Sequence, residues 1–208
     1  KLREVIEMAR TIAASPTTPA IATNLFTAIF TNTVPVEWQV AKRWERTYPA
    51  INQDGGDFIR SIIPVPNGEF LIARATARFS LSRVDSAGGI LWSTNFPNPV
   101  GHHGVGLGDA IATSDGGVLM IGHVKINPTT TESDLYLMKA DSTGGLLWVK
   151  TYGGNESEFQ ARSAVELPDG GYLVGITTTS GVGRNKLTPS YGGYDYWVVR
   201  LDPQGAEL

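Results

Sequence analysis

The side chains best able to do chemistry in these 208 residues are few and scattered. His102 and His103 stand together in Gly101-His-His-Gly104. Imidazoles ligate metals or move protons, but a metal needs three or four ligands, and no third partner is near in sequence. An exposed loop is the plainer reading of the pair, and His123 stands apart in an apolar run. Asp54-Gly-Gly-Asp57 and Asn155-Glu-Ser-Glu158 offer oxygen ligands for Ca²⁺. They lack the ligand spacing of an EF-hand loop, so solvated turns are the plainer reading, and no other cofactor is expected. Arg184, Lys186 and Tyr191 fall in a stretch, 180–193, with no counterpart elsewhere in the chain. With His102 and His103 they make up the candidate ligand-binding residues.

Other chemistry is excluded or unsupported. With no Cys there is no disulfide framework, thiolate metal site or Cys nucleophile. No G-x-S-x-G, H-E-x-x-H or Walker loop occurs. Gly104-Val-Gly-Leu-Gly108 resembles part of a phosphate loop but is not followed by a helical pattern, and is set aside. Glu156 and Glu158 show no apolar setting that would raise a carboxyl pKa. No catalytic residue is assigned, and a non-catalytic protein is favoured over an enzyme. A net charge of −3 gives no basic field for nucleic acid. No apolar run is long enough for a membrane-spanning helix, and no secretory leader opens the sequence as it stands.

What must position these residues is an internal repeat. The phrase Asp-x-x-Gly-x-x-Leu occurs at Asp85–Leu91, Asp141–Leu147 and Asp202–Leu208, and Trp92 and Trp148 directly follow the first two. Trp44 precedes Trp92 by 48 residues, and Trp148 follows it by 56. Asn67-Gly68, Asp115-Gly116-Gly117 and Asp169-Gly170-Gly171 form a second recurring phrase. Four residues before this phrase stand Ile63, Ile111 and Val165, and four after it Leu71, Leu119 and Leu173. Four before the later Asp stand Leu81, Leu137 and Val198, and two before it Arg83, Lys139 and Arg200. The three cations read either as a positive ring for an anionic glycan or, more plainly, as stems lying on a sheet with their heads paired to nearby carboxylates. Asp85, Asp141 and Asp202 suit turn caps that accept backbone N–H bonds. A period of roughly 50 with turn chemistry at fixed offsets belongs to four-stranded propeller blades.

Each copy divides into four expected strands. The Trp strands are 41–48, 90–96 and 146–152, each with an aromatic four residues after its Trp: Tyr48, Phe96 and Tyr152. Next come 58–65, 109–114 and 160–167, then 69–75, 117–124 and 171–178, then 78–84, 134–140 and 194–201. Continuous apolar runs such as Val118-Leu-Met-Ile121 suit strands covered on both faces. The expected fold is all-β, with about three blades at 41–92, 93–148 and 149–208. Residues 1–40 lie outside the repeat, and their apolar spacing predicts two short helices broken at Ser15-Pro16.

The stretch from Trp148 to Gly205, with W-V-K-T-Y-G-G, P-D-G-G-Y and Y-D-Y-W-V-V-R-L-D-P-Q-G, resembles the β-propeller repeats of bacterial secreted and cell-surface proteins. Asp141-Ser-Thr-Gly144 with Trp148 also resembles the tryptophan-docking motif of quinoprotein-like propellers, one residue apart from its usual spacing. The resemblance covers about 44–208. It implies a secreted or cell-surface scaffold or binding module whose partner is a protein or a glycan. Three repeats fall short of the 4–8 blades of known propellers. The expectation is therefore an incomplete or permuted ring, completed by further blades or by another chain. The alternatives are a carbohydrate-active or quinoprotein-like propeller enzyme, and an assembly subunit whose sheets pair with a second chain.

Overall fold

The computed structural model describes residues 44–49, 58–75, 78–98, 104–129 and 132–208. The helices expected within 1–40, the Asp54–Asp57 loop, His102 and His103 lie outside the described residues. The chain divides into two compact units, Lys1–Glu45 and Arg46–Leu208. Of the first, Trp44 and Glu45 are described; both are exposed and outside regular structure.

The second unit is all-β among its described residues, with eleven strands in three antiparallel sheets. The first sheet is a meander of β1 (Phe58–Val65), β2 (Glu69–Ala75), β3 (Phe79–Val84) and β4 (Ile90–Asn95). The second repeats it with β5 (Val105–Ala112), β6 (Val118–Lys125), β7 (Ser133–Ala140) and β8 (Leu146–Tyr152). The third holds β9 (Glu158–Glu166), β10 (Tyr172–Thr178) and β11 (Asp195–Leu201). Beyond β11, Ala206–Leu208 returns alongside it, with a bridge from Glu207 to Leu201 and a bond from Leu208 N to Arg200 O.

The turn phrases act as sequence-encoded hairpins. At Asp85, Asp141 and Asp202, the N–H of the Gly three residues on bonds back to the Asp carbonyl. One carboxylate oxygen of each Asp accepts two further backbone N–H groups: Ala87 and Gly89, Thr143 and Gly145, Gln204 and Ala206. These satisfy donors that a tight turn would otherwise leave without partners. The cation two residues before each Asp is paired across its own sheet. Lys139 Nζ donates to Asp115 at 2.8 Å, and Arg200 Nη2 to Asp169 at 2.9 Å. In the first copy Asn67 replaces that Asp, and Glu69 supplies the carboxylate to Arg83 Nε at 2.5 Å. The three heads are held by carboxylates, so they do not form a free positive ring.

Two expectations are corrected. Residues 44–49 are not a strand. Trp92 and Trp148 enter strands because an Asp-x-x-Gly turn folds each back onto the strand before it, and no such turn precedes Trp44. Nor does a Trp strand open each sheet, as the order of strands expected within each copy has it. β4 and β8 close theirs, so the sheets span Phe58–Asn95, Val105–Tyr152 and Glu158–Leu201.

The middle sheet is covered on both faces, which is why β6 and β7 are apolar at consecutive positions. Leu71, Leu81 and Phe79 pack with Met120, Met138 and Tyr136 between the first and second sheets. Leu119, Ile121 and Leu137 pack with Val174, Val199 and Trp197 between the second and third. Burying each such side chain contributes roughly 1.5–3 kcal/mol. The first strands of successive sheets run close together. A Cβ on Gly108 in β5 would overlap the Ala161 carbonyl in β9, so only glycine permits that approach. At the sheets' other edge each indole reaches the next repeat. Trp92 lies on Gly144, while Trp148 lies on Gly205 and donates Nε1–H to Pro203 O at 3.2 Å. The aromatic four residues after the Trp assists: Tyr152 OH bonds Gly205 O, and Tyr48 OH bonds Gly88 O at 2.9 Å. Among the described residues the three sheets do not close into a ring.

Candidate recognition site

The repeat positions make the third sheet different in kind from the other two. Ile63, Leu71 and Leu81 of the first sheet belong to the core shared with the second. Ile111, Leu119 and Leu137 of the second sheet occupy the same positions and belong to the core shared with the third. Val165, Leu173 and Val198 are their counterparts in the third sheet, with Val165 52% and Val198 56% exposed and Leu173 half-buried. Tyr196, 90% exposed, stands where Leu135 is fully buried in the second sheet. β11 alternates accordingly: Trp197, Val199 and Leu201 face the core, while Tyr196, Val198 and Arg200 face out.

This outward face continues into the 180–193 stretch. Thr177 pairs directly with both Phe159 and Tyr196, placing the three side chains on one face. Tyr194 packs edge-on against Phe159, ring centroids 6.1 Å apart. Tyr191 and Leu187 are exposed nearby in sequence, and Arg162, Ser163, Gly175, Tyr196 and Val198 line a shallow groove of about 230 Å³. Tyrosine combines a large apolar body with a hydroxyl at low rotamer cost, which suits contact surfaces.

The stretch is pinned by polar groups, among them the buried Lys186. Lys186 is 2% exposed; its Nζ donates to Thr188 O at 2.6 Å and lies 5.5 Å from the Trp197 ring centre. Arg184 Nη1 donates to Asp134 at 2.5 Å, tying the stretch to the second sheet. Asn185 accepts from Gly153 N and donates to Thr151 O. Asp195 accepts from Tyr191 N and Ser190 Oγ, fixing the loop that presents Tyr191. Glu158 is fully buried; its Oε1 accepts from Gly154 N and Thr178 Oγ1, and its Oε2 has no hydrogen-bond partner. Burial pushes its carboxyl up, against the pull of Ser180, then of Gly154, Thr178 and Arg184.

The candidate ligand residues therefore divide. Arg184 and Lys186 hold the stretch in place, Tyr191 is free to make contact, and His102 and His103 are outside the described residues. Asn155 Oδ1 accepts from Gly181 N and Glu158 points into the interior, so these two do not converge on a common cation. Among the described residues no group of three or more His, Asp or Glu gathers. His123 packs against the bare backbone of Gly106, where burial and then Arg60 push its pKa down. Tyr194, Tyr196 and Phe159 were not singled out from the sequence. For Tyr196 a signal was present: Tyr196-Trp-Val-Val199 is apolar or aromatic on both faces of its strand, as β6 is, so its outer face asks for a covering surface.

The fold and this face define a class: an antiparallel repeat-sheet protein with a broad apolar and aromatic surface on its third sheet. No family model matches the chain, and no curated protein matches it. Among solved structures it is similar to a protein of unknown function from Bacteroides caccae, with 14% identity and a TM-score of 0.28, over 79% of this chain and 69% of that one.

Proposed function

We propose that the chain is a recognition module of propeller-type repeat sheets, acting through contact with another protein rather than through catalysis. The outward face of the third sheet carries this reading. Val165, Leu173 and Val198 are apolar at repeat positions whose counterparts in the other two sheets are packed against a neighbour. Exposed apolar surface at sites built for packing marks an interaction surface. The propeller reading draws support from the roughly 50-residue period, the near approach of β1, β5 and β9, and the forward-reaching indoles. The secreted or cell-surface setting rests on the resemblance of the repeat phrases. Among the described residues no helix is long and apolar enough to cross a membrane.

The absence of Cys gives a direct test. A single thiol placed by Val198→Cys should react with a maleimide in dilute protein nearly as fast as in the denatured chain. A second protein, with Val199→Cys on the buried side of the same strand, should react only on unfolding. Slow reaction at position 198 in dilute folded protein would mean that the face is closed within the chain, and recognition there would be ruled out.

A further inference from the structure

We propose that the first strands of the three sheets hold a binding site for a tetrahedral oxyanion, phosphate or sulfate, between Arg60 and Arg162 and against the bare backbone of β5 at Gly106 and Gly108. The repeat carries the inference. Three residues before Ile63, Ile111 and Val165 stand Arg60, Gly108 and Arg162. Each falls where the first strand of its sheet slips register against the second. In β1 Arg60 is the extra residue between Ile59 and Ser61, and in β5 Gly108 is the extra residue between Leu107 and Asp109. In β9 Arg162 belongs to the longer insertion between Phe159 and Ser163. A bulge takes a residue out of the ladder and re-aims its side chain. The interruption recurs at one repeat position in three sheets, and it frees an arginine on either side of a glycine.

Both arginines bear on the same stretch of β5. The Cγ of Arg162 lies 3.4 Å from where a Cβ on Gly108 would stand. Arg60 acts from the first sheet: after burial, its charge is what lowers the pKa of His123, whose ring covers Gly106. Arg60 and Arg162 are exposed, and among the described residues neither guanidinium forms an ion pair. The recurring cations at the turns differ in this, since Arg83, Lys139 and Arg200 are all held by carboxylates. Asp109, beside Gly108, is engaged with other partners, its Oδ1 accepting from Ser61 Oγ and from Ala110 N. Guanidinium forks match the paired oxygens of phosphate or sulfate, and a dianion there offsets two charges the chain leaves uncompensated. The site goes beyond the protein-contact reading: it shares Arg162 with the third sheet's groove but not the apolar centre of that face.

Isothermal titration calorimetry with sodium phosphate and sodium sulfate, at pH 7 and low ionic strength, tests this on the 208-residue chain. One equivalent of either ion should bind. Arg60→Gln and Arg162→Gln should each weaken binding about tenfold or more, the loss of one charge-assisted pair. Both side chains are exposed, so far-UV circular dichroism and melting without added ion should be unchanged. Arg83→Gln removes the same charge from an arginine already held by Glu69 and should leave binding unaltered. Methyl phosphate separates the sources of the group. Tighter binding than phosphate means the group is presented on a larger ligand, and weaker binding means the free ion is the ligand; either outcome supports the site. No saturable binding of either ion at millimolar concentration overturns the proposal. Binding that survives either arginine substitution overturns it too, as does an equal loss with Arg83→Gln, which would report net charge alone.

Discussion

Replacing Gly144 by Ala tests whether the indole of one repeat holds the turn of the next. Gly144 has φ +83°, and a Cβ there would lie 2.7 Å from Trp92 Cζ3 and 2.9 Å from Cη2. Left-handed backbone costs a residue with a Cβ about 1–2 kcal/mol. Forcing a methyl group into a filled contact adds about 1–3 kcal/mol, or else the indole leaves and its packing is lost. Gly144→Ala should therefore cost about 2–5 kcal/mol. Gly116 is the matched control: its φ is +79°, and the nearest atom to its added Cβ would be Ser142 Cβ at 3.5 Å, ordinary contact. Gly116→Ala should cost only the conformational part, about 1–2 kcal/mol. Urea unfolding of both proteins, and of each in a Trp92→Ala background, completes a double-mutant cycle. With the indole gone, the Gly144→Ala cost should fall toward that of Gly116→Ala, Thr94 Oγ1 at 3.0 Å being the close atom that remains. Equal costs for the two glycines in the unsubstituted chain, or no coupling to Trp92, would refute the docking argument.

Two further predictions concern buried charge. Asp115→Asn should cost on the order of 1 kcal/mol in urea unfolding, because it removes the charge of the half-exposed carboxylate that pairs with the buried Lys139 ammonium. Desolvation raises the Asp115 carboxyl, but the bonds from Lys139, Thr113 and Gly117 outweigh it and bring it down to about 2. Its folded pKa is depressed, so this stabilisation is present above the unfolded value near 4 and is lost as pH falls toward 2. The carboxylate is half in solvent, so the contribution is on the order of 1 kcal/mol, read as a shallower fall of Tm in acid for Asp115→Asn. Glu158 has the opposite sign. Its folded pKa is raised, so its stabilising effect is complete below the unfolded value and is lost as pH rises through the folded one. Glu158→Gln should gain stability relative to the unsubstituted chain at pH 7 and lose that advantage at pH 4; an advantage equal at both pH values would contradict the assignment.

The sequence was most readable where local chemistry decides structure. β1, β2 and β8 fall at their expected bounds because Asn-Gly or Asp-x-x-Gly phrases lie at their ends. β5 begins four residues earlier than expected, since Gly104–Gly108 looks like loop. Gly106 and Gly108 are there because His123 and the Ala161 carbonyl come close, a tertiary demand with no local signature. That the heads of Lys139 and Arg200 pair with a nearby carboxylate was legible, but not which one: the Asp of the Asp-Gly phrase lies 24 residues before Lys139 and 31 before Arg200, and Arg83 found Glu69 because Asn67 occupies that place. Lys186 and Glu158 were not legible: a Lys and a Glu in polar stretches give no sign that another sheet will cover them. The exposed face was half legible. Alignment found Val165, Leu173 and Val198, but equivalence of sequence implied equivalence of burial, and burial depends on whether a neighbour stands beyond.

The docking of Trp92 on Gly144 and of Trp148 on Gly205 gives the three sheets a polarity. Both of these indoles reach forward along the chain, so each of the two turns is clamped by the repeat made before it. Damage to one turn releases a side chain of the preceding repeat and leaves the following repeat's own clamp in place. In a nearest-neighbour array the middle sheet, packed on both faces, is the last to open, and loss of the third sheet also frees Trp148 of the second. Hydrogen exchange resolved by residue would show this as amide protection highest in β6 and β7.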